Sequence, residues 1–186
     1  MLLTVFLSIL VENCFAESSP VDLEHSTLSI RVFKKGLFSG FAHDHEIAAP
    51  LSSGSVDSTV PSVEVHFDAR KIRVVDPGTS AGDRAKIQET MLSDKVLDAA
   101  RFPDISFVSR SIKPSADNAY TVEGDLTLHG VTHLLTFPVS LLNGNYRGSV
   151  GLKQTDFGIT PISLFGGSVK VKDAIEISFE IVLQAK

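Results

Sequence analysis

Residues 124–139 read Gly-Asp-Leu-Thr-Leu-His-Gly-Val-Thr-His-Leu-Leu-Thr-Phe-Pro-Val, and this stretch narrows what the chain can fold into more than any other. Two runs rich in β-branched and apolar residues meet at His129-Gly130. A two-residue connection ending in Gly is the strongest short hairpin signal, because the turn that matches strand twist needs positive φ. Histidine tolerates that left-handed region better than most residues. The two runs are therefore expected to pair antiparallel. Tyr120, Val122, Gly124, Leu126 and Leu128 then share one face of the first strand, and Leu135, Phe137, Val139 and Leu141 one face of the second.

The same period of two recurs along the chain. Leu28, Ile30 and Val32 alternate with polar residues, as do Val63, Val65 and Phe67, and Ile175, Ile177, Phe179, Ile181 and Leu183. Strands are predicted over 26–33, 37–49 with a kink near Gly40, 55–60, 63–69, 104–112, 120–128, 131–142, 145–155 and 169–183. Turns are predicted at 34–36 and 51–54, and a loop at 76–81. From Asp83 the period changes: Ile87, Met91 and Leu92 take helical spacing. Ser93 and Asp94 break that helix and cap a second short one through Leu97, and Pro103 ends helical structure before Phe102. The expected fold is all-β: an extended antiparallel β-barrel of about eight strands with one short helical insertion. A barrel of that size is either filled by side chains or holds one slender ligand. Twelve Phe, no Trp and two Tyr make its interior greasy, with few polar handles.

Leu2 to Val11 is an apolar core too short to span a bilayer, and Cys14-Phe15-Ala16 offers small residues for a signal peptidase. A signal peptide is thus expected at 1–16, a flexible leader at 17–25 and a single barrel domain at 26–186. A lipid anchor on Cys14 is the lesser reading, since Val-Glu-Asn precedes it. Cys14 is the sole cysteine, so the processed chain has no disulfide to lean on. A net charge of −5 argues against nucleic acid as a partner. No helical membrane anchor is expected.

Three stretches in order carry a family resemblance: the 124–139 hairpin, Ser93-Asp-Lys-Val-Leu-Asp-Ala-Ala-Arg-Phe-Pro-Asp-Ile-Ser-Phe-Val-Ser109, and Gln154-Thr-Asp-Phe-Gly158 followed by Gly166-Gly-Ser-Val-Lys-Val-Lys-Asp173. Together they resemble the YceI-like family from about Ser26 to Leu183. The resemblance implies a lipocalin-like barrel, periplasmic or secreted, that is no enzyme and needs no cofactor. Its partner would be an isoprenoid quinone or other long-chain lipid. Transient membrane contact and a homodimer are also implied. The residues expected to line or orient such a ligand are Phe41, His43, His45, Phe107, Leu126, Leu128, Phe137, Phe157, Leu164 and Phe165.

Other readings stay open at this point. In a strand, His43 and His45 point to one side. They serve as structural hydrogen-bonding groups, as headgroup contacts, or as two ligands of a metal completed by His66, His129 or His133. That last reading makes the chain a metal-binding protein or a small metalloenzyme. A filled barrel acting as a stress-response or interaction protein is the third alternative. The apolar loop 158–167 is either a lid over a lipid or a plug in the barrel end. His45-Glu46 lacks the second His of a zinc-protease motif, and no nucleophile elbow, P-loop or dinucleotide-binding pattern is present.

Overall fold

The computed structural model describes residues 18–35, 44–164 and 169–185. Twelve strands form one antiparallel sheet: β1 (Ser18–Pro20), β2 (Thr27–Lys35), β3 (His45–Ala48), β4 (Leu51–Asp57), β5 (Ser62–Asp68), β6 (Arg73–Val74), β7 (Asp104–Ala116), β8 (Ala119–Leu128), β9 (Val131–Leu142), β10 (Asn145–Lys153), β11 (Ser163–Leu164) and β12 (Val169–Ile181). Their order is β1-β4-β5-β7-β8-β9-β10-β12-β2-β3-β6, with β11 beside β12. One helix, α1 (Ala81–Leu92), is inserted between β6 and β7.

The expected all-β barrel is the fold found. Its strand count is higher than the expected eight, and the reason is local. The run from His45 to Asp57 is broken at Ala49-Pro50: its first half, β3, pairs with β2, and its second, β4, pairs with β5. The pairings thus return on themselves and the sheet curls into a barrel. Three short strands, β1, β6 and β11, add to the count.

The hairpin forms as read. His129 and Gly130 take φ of 53° and 74°, the positive pair that a tight hairpin turn demands. Every residue from Ala119 to Leu128 has a partner in β9. Inward residues sit opposite inward residues along the ladders: Phe107 faces Leu126, Val122 faces Phe137, Tyr120 faces Val139, and Ile177 lies between Val150 and Ile30. Such cross-strand apolar pairs are the unit of sheet stability, and here they tile a continuous interior wall. A bulge between Ser109 and Ser111 reverses the alternation in β7, so Phe107 and Ile112 both point inward.

Six expectations need correction. Lys34 and Lys35, expected in a turn, are the end of β2 and pair with Val171 and Lys170. The strand expected over 55–60 ends at Asp57, and 58–60 are turn. Residues 17–25 are not a loose leader over their described part. β1 pairs with β4, and Val21 is 2% exposed and bridges Leu183. Residues 51–54 are the start of β4 and not a turn. Residues 93–97 make hydrogen-bonded turns, Val96 N–H to Ser93 O and Leu97 N–H to Met91 O, in place of a second helix. The strand expected to run to Thr155 ends at Lys153, where a 3-10 turn (Gln154–Phe157) begins.

Helix α1 starts at the Ser80 hydroxyl, which accepts the Asp83 N–H. Gln88 fastens it to β6: its Oε1 accepts the Val74 N–H and its Nε2 donates to Ile72 O. The helix therefore lies across one end of the barrel, with its own Met91 buried against the interior. No described helix is long and apolar enough to cross a membrane.

Candidate functional site

Two cavities in the barrel interior are walled by described residues. The larger, about 220 Å³, is walled by Val65, Phe67, Phe107, Val122, Leu126, Leu135, Phe137, Val139, Ile177, Phe179 and Ile181, with Val56, Asp57, Ser58, Pro61, Tyr120 and Tyr146 toward one end. The smaller, about 130 Å³, is walled by Ile30, Val32, Ile47, Ile105, Leu128 and Ile175, and by Ile72, Met91, Val96, Leu97, Gln154 and Ile159 toward the other. Leu28, Phe67, Leu126 and Ile177 line both, so the two are successive chambers along one axis.

The two ends differ. At the helix end, Ile72, Met91 and Ile159 are buried. At the other end, Ser58 and Pro61 line the cavity and are exposed. The chamber opens there, between the turn joining β4 to β5 and the rims of β8 and β10. The described part of the 158–167 loop lies at the helix end, where Ile159, 4% exposed, lines the smaller chamber.

Of the residues expected to meet a ligand, Phe107 and Phe137 line the larger chamber, Leu128 the smaller, and Leu126 both. The rings of Phe107 and Phe137 pack against each other at a centroid distance of 5.4 Å. Phe157 lines neither: it is fully buried in the 3-10 turn, its ring edge-on to His133 at 5.2 Å. Leu164 belongs to β11, where its backbone pairs with Val169. Phe41, His43 and Phe165 lie outside the described residues.

His45 stands at the start of β3 with its Nδ1 2.5 Å from Oδ2 of Asp76. Oδ1 of the same carboxylate accepts the Glu46 N–H. Asp76 is 2% exposed, so both contacts satisfy a buried polar group. His45 is among the wall residues of neither chamber. The other histidines named as metal ligands go separate ways. His66 pairs with the neighbouring Glu64, and His129 Nδ1 lies 3.1 Å from Phe157 O. Among the described residues no group of three or more His, Cys, Asp or Glu side chains converges on one point.

Sequence reasoning left out Leu28, Phe67, Val122, Ile177, Phe179 and both tyrosines as lining residues. The signal was available for all but Tyr146: each of the others lies on a face that strict alternation had already assembled.

Comparison with known proteins agrees with this architecture. The model of the YceI-like domain matches residues 20–183. A UPF0312 protein of Pseudomonas putida is 36% identical over 78 residues, which is 42% of this chain and 40% of that protein. A UPF0312 protein of Pseudomonas fluorescens is 36% identical over 116 residues, covering 50% and 57%. The matched stretches thus span about half the length of these relatives. In fold, the chain is similar to Burkholderia cenocepacia BcnA, with a TM-score of 0.67 at 21% identity over 89% of this chain and 99% of that one. It is also similar to the Campylobacter jejuni YCEI protein, with a TM-score of 0.52 at 15% identity over 75% and 82%. With a family match across nearly all of the barrel and the barrel itself in place, the chain belongs to the YceI-like family.

Proposed function

We propose that the chain is a non-enzymatic binding protein of the periplasm or extracellular space. It holds one isoprenoid quinone, polyprenyl chain or similar long-chain lipid inside the barrel, for transport or storage. The observation that carries this reading is the pair of successive apolar chambers that share Leu28, Phe67, Leu126 and Ile177. Together they reach the low end of the roughly 300–1,000 Å³ usual for small-molecule pockets. Their end-to-end arrangement suits a slender chain better than a compact ligand. Apart from Asp57, Ser58, Tyr120 and Tyr146 toward the mouth and Gln154 toward the helix, these walls are apolar and supply burial. Each methylene taken from water contributes about 0.8 kcal/mol, set against the cost of immobilising the ligand.

The test is to purify untagged protein from a bacterial periplasm, denature it and analyse the organic extract by mass spectrometry. One lipid class near one molecule per chain is the expected result. An extract that stays empty after incubation with native membranes overturns the reading. A folded Phe137→Glu variant is expected to take up no lipid, and unchanged uptake by it counts against the same reading.

A further inference from the structure

The two tyrosines of the chain line the same chamber. Tyr120 lies on β8 opposite Val139, and Tyr146 on β10 opposite Leu141, so β9 alone separates them. Both stand toward the end where Ser58 and Pro61 are exposed, far along the axis from Met91 and Ile159. Each ring is half-buried. Among the described residues, neither phenol hydroxyl has a protein hydrogen-bond partner, whereas the side chains deeper in this chamber carry no polar atom at all. Burial raises the Tyr146 phenol above its ordinary value, and the nearby Tyr120 pushes it the same way. A phenol hydroxyl is a hydrogen-bond donor as well as an acceptor.

We infer that Tyr120 and Tyr146 form the headgroup site. They donate hydrogen bonds to a carbonyl or similar acceptor at the chamber mouth, while the hydrocarbon tail runs inward toward helix α1. The inference rests on the lipid-holding reading above and adds to it a direction of entry and a ligand chemistry: an acceptor-bearing head on an apolar tail. It also moves the polar contact from the His45 end to the opposite one. The acid group nearest the mouth, Asp57, is an acceptor itself and its Oδ1 takes the Thr59 and Val60 N–H groups. It therefore offers a carbonyl nothing; of the donors that line the mouth, the Ser58 hydroxyl is on an exposed residue and the two phenols are on half-buried ones.

The experiment uses two probes with the same alkyl chain on a six-membered ring, decyl-1,4-benzoquinone with two carbonyl acceptors and decylbenzene with none, in equilibrium dialysis against the wild type, Tyr120→Phe, Tyr146→Phe and the double variant. Removal of each hydroxyl is expected to weaken quinone binding about threefold to tenfold, the worth of one hydrogen bond, and to leave decylbenzene unchanged. Infrared difference spectra are expected to show the bound quinone carbonyl stretch lowered in the wild type and restored in the double variant. Equal binding of the quinone by all four proteins overturns the headgroup site, as does loss of both probes together. A His45→Ala variant that loses the quinone alone moves the site to the other end and overturns it too. If the wild type binds neither probe, the lipid-holding reading falls with it; if decylbenzene binds normally, that reading stands by itself.

Discussion

A methyl group placed on Gly124 would lie 2.5 Å from Cζ of Phe107 and 2.6 Å from the backbone oxygen of Val108. The glycine sits on the inward face between Val122 and Leu126, beside the β7 bulge at Ser109. It is absent of side chain because the Phe107 ring occupies the space. Val108 O and Ser109 Cα, 2.8 Å from the same point, are backbone and cannot give way cheaply. Gly124→Ala is expected to cost about 1–3 kcal/mol, the range for overpacking a core, and to push Phe107 into the larger chamber. Urea unfolding reads the first effect and lipid capacity the second.

Asp76 fastens the loop before α1 to β3 through His45 and Glu46. Asp76→Ala leaves both donors without their buried acceptor. A loss of about 1–3 kcal/mol is expected, the cost of such orphaned groups. Hydrogen exchange is expected to speed up at residues 74–92 more than in the β8–β9 hairpin. Uniform exchange across both regions would mean that the pair is no anchor.

Asp173 accepts the Thr155 N–H at 2.9 Å and the Thr155 hydroxyl at 2.7 Å, and these bonds hold its carboxyl below the ordinary 3.8. A depressed carboxyl contributes stability above its unfolded value, and that contribution is lost as pH falls through the folded value. Asp173→Ala is therefore expected to melt at lower temperature than wild type at pH 7. The gap should narrow only below about pH 4, where the unfolded carboxyl begins to protonate. A gap that stays constant down to pH 2.5 would show that the two bonds are not the cause.

Ile177 lines both chambers and sits opposite Ile30. Ile177→Phe narrows the passage between them while keeping the wall apolar. Binding of short alkyl chains is expected to persist, and binding of long ones to fall by about tenfold or more, on the order of two buried methylenes. A series of fatty alcohols of increasing length measures it. Equal loss at every length would argue that the two spaces are not in line.

Much of this barrel was legible because alternation is a local property. The inward faces of β2, β5, β8, β9 and β12 are those that the residue pattern assigns, and His129-Gly130 turned as its chemistry requires. What escaped depends on partners distant in the chain. Ser53-Gly54 has turn composition, yet Gly54 is strand: a Cβ there would meet Val21 and Val65 at 3.0 Å, so the glycine makes room for packing. Val21 follows a polar, proline-containing stretch and gains its order from a ladder partner at Leu183. The family resemblance pointed to the barrel and to Phe107, Leu126, Leu128 and Phe137. It gave no hint of the carboxylate beside His45, since Asp76 lies 31 residues away in a loop. Nor did spacing bring Tyr120 and Tyr146 together; only the insertion of β9 between their strands does.

The ladder that joins residues 20–22 to residues 182–184 sets an order of events. Asp22 N–H donates to Val182 O, and Gln184 N–H donates to Pro20 O. These are contacts across almost the full length of the chain, the kind whose loop-closure cost must be met before any return. During synthesis the β8–β9 hairpin can form as soon as its own residues emerge. The seam between residues 20 and 184 has to wait for the final strand. Folding is therefore expected to be slow, as for other topologies dominated by non-local pairing. Until that late step the apolar interior stays accessible along one side, and it is sealed from that side only when the last strand docks.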